Sequence, residues 1–203
     1  VLNECPDTHS RILFEKVPST SRRLTILVNA MRDGKAIQMS YKSFRRTEPT
    51  TFEAHPYCLK IFRQRWYMLA HTIGKEELRI YSLDRIADIE VLDTPLLLPE
   101  NFDAADFFSD YFGIIIGHNI KPSILELKAS AEQARYLESL PLHCSQEVVE
   151  TTPEYTIFRY RIVPTFDLKQ EILSRGATLE VLSPEWFREE VFSEIEKMMK
   201  NYL

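Results

Sequence analysis

Glycine is scarce, five in 203 residues, and no G-x-G-x-x-G, P-loop or G-x-S-x-G motif occurs. The usual phosphate-cradling loops and the serine-hydrolase elbow are therefore excluded. Cysteine is scarcer still. Cys5, Cys58 and Cys144 are odd in number and form no C-x-x-C pair, which argues against a disulfide framework and a thiolate zinc site and fits a reducing, cytoplasmic setting. The five histidines, His9, His55, His71, His118 and His143, are scattered, with no two at helical ligand spacing near a third ligand, so neither a metal nor a cofactor is expected. Aliphatic runs such as Leu96–Leu98 and Ile114–Ile116 stop at three residues, far short of the about 18 that suggest a membrane span. An initiator Met and a basic-then-apolar leader are both missing, since the chain opens on Val1; the expectation is a piece of a longer protein.

What is present is an ordinary globular composition, 44% hydrophobic and 27% charged, with a formal net charge of −5. A chain of this size buries about 70% of its unfolded surface, as one large domain or two small ones. The acidic total conceals an asymmetry: residues 22–85 hold thirteen Lys and Arg against six Asp and Glu, a segment charge of +7, which leaves −12 for the rest. Such a segment is either a solvated surface or, where several arginines converge, an anion site.

Leu24, Leu27, Val28 and Met31 recur at helical spacing, with Ser21 as a cap and Gly34 as a stop, so a helix is expected over about 22–33. Alternation follows, with Ile37, Met39, Tyr41 and Ser43 on one face of a strand. Tyr57–Arg63 and Trp66–Ile73 read as a hairpin centred on Gln64, and Leu78–Leu83 and Ile86–Leu92 as two more strands. Five strands behind one helix predict a small, strongly bent sheet or barrel. Asn101–Gly113 is acidic and aromatic and reads as a helical connector. Beyond it the order is β-α-β-β-α-β, the ferredoxin-like plan, with a capping box at Ser130/Gln133 and a cap at Thr165. A last helix carries Phe187, Val191, Ile195, Met198 and Tyr202 as one expected buried stripe.

Catalytic chemistry finds no support. Cys58 with His55 and His71 suggests a nucleophile and base only by sequence proximity, and a small buried hydrophobe explains Cys58 better. Glu76-Glu77 and Glu189-Glu190 lie in a turn and on a helix surface.

Between Tyr41 and Ile86 lie His55-Pro56-Tyr57-Cys58-Leu59, Gln64-Arg65-Trp66-Tyr67-Met68-Leu69-Ala70 and Leu78-Arg79-Ile80-Tyr81-Ser82-Leu83-Asp84-Arg85-Ile86. These segments and their spacing closely resemble the WYL-domain family. Met68 stands where the naming triplet has Leu, a volume-conserving swap. The resemblance implies an α+β chain: an SH3/Sm-like small β-barrel with an N-terminal helix, then a ferredoxin-like βαββαβ domain with a C-terminal helix that looks like the WCX extension. The implied division is 1–21 linker, 22–95 barrel, 96–120 connector and 121–203 extension. The resemblance also implies a bacterial transcription regulator whose N-terminal winged helix-turn-helix, the DNA-binding part, has no counterpart here.

Arg79 shares a strand face with Tyr81, and Arg85 follows that strand. With Tyr41 and Ser43, and with Arg65 and Tyr67 extending the site, they make a candidate fork-donor site for phosphate or carboxylate. Ion pairs of Arg85 with Asp84 or Asp88 are the competing explanation. The leading expectation is a homodimeric effector module that binds a nucleotide or short single-stranded nucleic acid and biases two DNA-binding arms. The alternative is an accessory single-stranded nucleic-acid-binding module with Tyr41 and Tyr67 as stacking platforms.

Overall fold

The computed structural model describes residues 20–117 and 120–203. The expected extension at the N-terminus, apart from Thr20 and Ser21, and His118 lie outside the described residues. The chain forms two compact units that divide between Leu97 and Leu98.

In the first unit, helix α1 (Ser21–Arg32) buries Leu27 and Ala30, and its N-cap is Thr20, with no side-chain cap bond. Five strands follow: β1 (Lys35–Tyr41), β2 (Thr50–Phe62), β3 (Arg65–Thr72), β4 (Arg79–Ser82) and β5 (Ile86–Pro95). They form one antiparallel sheet in the order β4-β3-β2-β1-β5. The two edge strands are consecutive in the chain and are joined by a three-residue 3-10 turn, Leu83–Arg85. Three residues span about 10 Å, so the sheet must curl until its edges meet. Ile37, Met39, Met68, Leu83 and Ile86 fill the interior with Leu27.

Two local expectations need correction. β1 ends at Tyr41, so Ser43 lies in the turn after the strand and not on its face. β2 begins seven residues earlier than the aromatic run suggests, and runs through Pro56. Proline is tolerated there because β1 pairs with β2 only over Thr50–Ala54 and the β2–β3 ladder is bulged between Pro56 and Cys58. The hairpin turn does fall at Arg63-Gln64, both with positive φ, 44° and 64°, the two-residue geometry that follows strand twist.

The second unit places β6 (Ser123–Ser130), α3 (Ala131–Ser139), β7 (Glu147–Thr151), β8 (Tyr155–Ile162), α4 (Phe166–Ser174), β9 (Leu179–Ser183) and α5 (Glu185–Lys200) after a five-residue helix, α2 (Ala104–Phe108). The antiparallel order β7-β8-β6-β9 is the ferredoxin-like arrangement. Alternate residues Leu125, Leu127, Phe158, Tyr160 and Ile162 form its core with Leu137, Leu168 and Phe187. Ser130 caps α3 by accepting from the Gln133 amide at 3.3 Å. Thr165 occupies the cap position of α4 without a cap bond.

Asn101–Gly113 is helical only over α2, whose aromatics contact one another and Tyr111 instead of forming a long amphipathic face. The Asp167 carboxylate, in the first turn of α4, accepts the amides of Ile114 and Ile115 at 2.7 and 2.8 Å. In α5 only Phe187 and Val191 of the expected stripe are buried; Ile195, Met198 and Tyr202 are exposed. That helix outruns the core it covers.

Candidate functional site

Where β1 ends, the barrel's closing turn comes back to meet it. The Lys42 amide donates to the Arg85 carbonyl at 3.0 Å, and Arg85 Nε donates to the Lys42 carbonyl at 3.1 Å. The Arg85 guanidinium carbon lies 4.9 Å from the centre of the Tyr41 ring and 3.9 Å from that of Phe44. A guanidinium held by its Nε and by two ring faces has little freedom left, while both Nη groups keep their N–H donors for another partner. Among the described residues Arg85 makes no ion pair. Of the two expected competitors, Asp84 and Asp88, the first is engaged elsewhere: one carboxylate oxygen accepts the Ser82 hydroxyl and the other lies 3.6 Å from Arg65 Nη1.

Arg85 lines a cavity of about 360 Å³ together with Arg23, Lys42, Ser43, Phe44, Arg46 and Asp84. Four cations face one carboxylate there. A neighbouring cavity of about 210 Å³, lined by the start of α1 and by Ala87–Ile89, shares Arg23 and Ala87 with it.

Of the residues expected from sequence, Ser43 and Arg85 meet at this cavity. Tyr41 supports it from below: its ring stands edge-on to Tyr81 at 5.0 Å, and its hydroxyl accepts the Ser82 amide at 3.3 Å. Burial pushes the Tyr41 phenol up, against the opposing pull of Arg85. Arg65 reaches the cavity only through Asp84. Tyr67 pairs with Ser82 across β3 and β4. Arg79 pairs with Ala70, is exposed, and acts electrostatically on Tyr81; it does not line the cavity. Sequence reading missed Arg23, Lys42, Phe44 and Arg46. For the last three the available signal was the run Lys42-Ser43-Phe44-Arg45-Arg46, where an aromatic stands between two polar residues on either side.

His55 and His71 stack at 5.9 Å between ring centres. His55 is fully buried, accepts the Leu97 amide on Nδ1 at 3.1 Å, and has Nε2 3.7 Å from Glu53. Burial lowers its pKa, against the pull of Glu53. Cys58 is buried and its thiol is pushed up to about 11, chiefly by burial. Among the described residues no cluster of three metal-binding side chains occurs, and no helix is long and apolar enough to cross a membrane.

The chain matches the WYL domain model over residues 22–91 and the WCX domain model over residues 123–199. No curated protein matches it. Among solved structures, it is similar to proteasome accessory factor B/C (PafBC) of Arthrobacter aurescens, at 18% identity over 93% of this chain and 28% of that one, with a TM-score of 0.38. It is also similar to a CRISPR Cas-related protein, at 13% identity over 90% of this chain and 52% of that one, with a TM-score of 0.50. The chain thus spans about a quarter and about half of the lengths of these two proteins. Together the two domain models cover most of the residues, one on the barrel and one on the ferredoxin-like unit; the chain belongs to the WYL-domain family, with a WYL domain followed by a WCX domain.

Proposed function

We propose that this chain is the ligand-sensing and dimerising part of a bacterial transcription regulator, and that the Arg85 cavity takes a phosphate-bearing effector, a nucleotide or short single-stranded nucleic acid. The observation that supports this reading most is the state of Arg85: fixed by a carbonyl and two rings, without a carboxylate partner among the described residues, beside three further cations. Its two Nη groups suit a bidentate phosphate oxygen pair. Arg65 and Arg79 contribute positive potential from the adjoining strands, Ser43 adds a hydroxyl, and Tyr41 and Tyr67 shape the support. No catalytic step belongs to the proposal. Effector binding must favour one arrangement of a DNA-bound dimer over another to regulate transcription, with DNA held by a winged helix-turn-helix outside this chain.

The test is fluorescence anisotropy with labelled mononucleotides and oligonucleotides, with sedimentation equilibrium on the same samples to confirm a dimer. Charge-assisted hydrogen bonds of about 1.5–3 kcal/mol predict a roughly 10- to 150-fold loss of affinity in Arg85→Ala, and a smaller loss in Arg79→Ala. Parent-like binding by a folded Arg85→Ala protein would falsify the assignment. The shared wall of the two basic cavities favours a second reading, an accessory module that tracks a single strand. Its mark is affinity that rises with oligonucleotide length and falls steeply with salt.

A further inference from the structure

Phe44 is 86% exposed, and it is the one exposed aromatic among the described residues of the first unit. It packs in no core. Its ring is nevertheless held in place, because the Arg85 guanidinium carbon lies 3.9 Å from its centre and Arg85 is itself fixed by the Lys42 carbonyl. An apolar ring that is both rigidly supported and open to water at the mouth of a cationic cavity has the properties of a stacking surface. The other aromatics near the site lack them: Tyr41 is committed edge-on to Tyr81 and beneath Arg85, and Tyr67 is half-buried in the ladder opposite Ser82.

We infer that Phe44 is a stacking platform and that the cavity selects phosphates carrying a planar heteroaromatic ring over phosphates without one. This deepens the effector proposal and rests on it. In this division of labour Arg85, with Lys42 and Arg46, takes the anionic end, and Phe44 takes the ring, so the ligand class is the nucleotide instead of the sugar phosphate. Stacking of one base on one aromatic side chain corresponds to about 5- to 150-fold in affinity.

Calorimetric titration of the 203-residue chain with inorganic phosphate, ribose 5-phosphate, AMP and UMP tests the inference. Both nucleotides are expected to bind at least 5-fold tighter than ribose 5-phosphate. In Phe44→Ala that advantage disappears even though loss of one of the two rings that hold Arg85 lowers the affinity for ribose 5-phosphate as well, and Phe44→Trp restores the advantage. Equal affinity of the parent for AMP and ribose 5-phosphate, or an unchanged nucleotide advantage in Phe44→Ala, overturns the platform role and leaves the anion site standing. If none of the four compounds binds, the mononucleotide reading of the cavity fails and the platform's selection with it; if Arg85→Ala binds all of them as the parent does, the anion site at Arg85 fails and the platform with it.

Discussion

Replacing Asp167 by Ala removes an acceptor that two consecutive amides share. Asp167 is only 9% exposed, and its Oδ2 receives Ile114 N and Ile115 N at 2.7 and 2.8 Å. Hydrogen bonds to a charged group contribute about 1.5–3 kcal/mol each, but the two share one oxygen and the amides are partly hydrated once released, so a total of about 2–4 kcal/mol is expected. For a chain of this size each kcal/mol moves Tm by about 2–4 °C, which places the variant roughly 4–16 °C below the parent. Asp167→Asn keeps an oxygen at the same reach without its charge, and is expected to lose about half as much. Differential scanning calorimetry gives the stability, and hydrogen exchange localises it to the amides of Ile114 and Ile115. A variant within about 0.5 kcal/mol of the parent, with exchange at those amides unchanged, would refute the argument, because it would mean that water replaces the carboxylate at no cost. The neighbouring glycine belongs to the same device: at Gly113 φ is +83°, and a Cβ there would come within 2.5 Å of Asp167 Oδ2.

Two further outcomes concern titratable groups of the barrel. His55 has a folded pKa below its unfolded value because burial disfavours the imidazolium, so the unfolded state binds the proton first and barrel stability declines as pH falls below about 6.5; thermal unfolding between pH 7.5 and 5 should show a shallower decline in His55→Asn, whose amide oxygen mimics Nδ1, and an equal decline in both would sink the assignment. Alkylation by iodoacetamide at pH 8 should label exposed Cys144 well before Cys58, whose buried thiol is raised to about 11; mass spectrometry showing equal rates at the two would contradict the packing around β2.

The element order was legible because each element repeats its signal. Alternation in β6 and β8, and the 3.6-residue stripe of α1, are periodic over many residues, and periodic burial is what a sheet or helix imposes. The boundaries were less legible where tertiary context overrides local preference. The aromatic run starts at Tyr57, yet β2 begins at Thr50 and carries Pro56 inside it, because the neighbouring strand has already ended there. The apolar positions of α5 read as one buried stripe, yet periodicity records only which residues share a face, and the core stops at Val191. At the candidate site, Arg85 was readable from its place just past a strand's end, and Ser43 was named as part of a strand face that in fact ends at Tyr41. Arg23 was not, since it lies some sixty residues from Arg85 in the chain and meets the cavity only after closure brings α1 and the turn Leu83–Arg85 to one mouth.

The end of β5 has a mechanical consequence. After Pro95 the next two amides are both held: Leu96 donates to the Gly34 carbonyl at 2.8 Å and Leu97 to His55 Nδ1 at 3.1 Å. A pull on Leu98 therefore meets these two bonds before it reaches the strand, and the load passes into the turn after α1 and the middle of β2. Tension along the chain does not peel β5 from β1 residue by residue; it must first break a cleat made of one carbonyl and one imidazole.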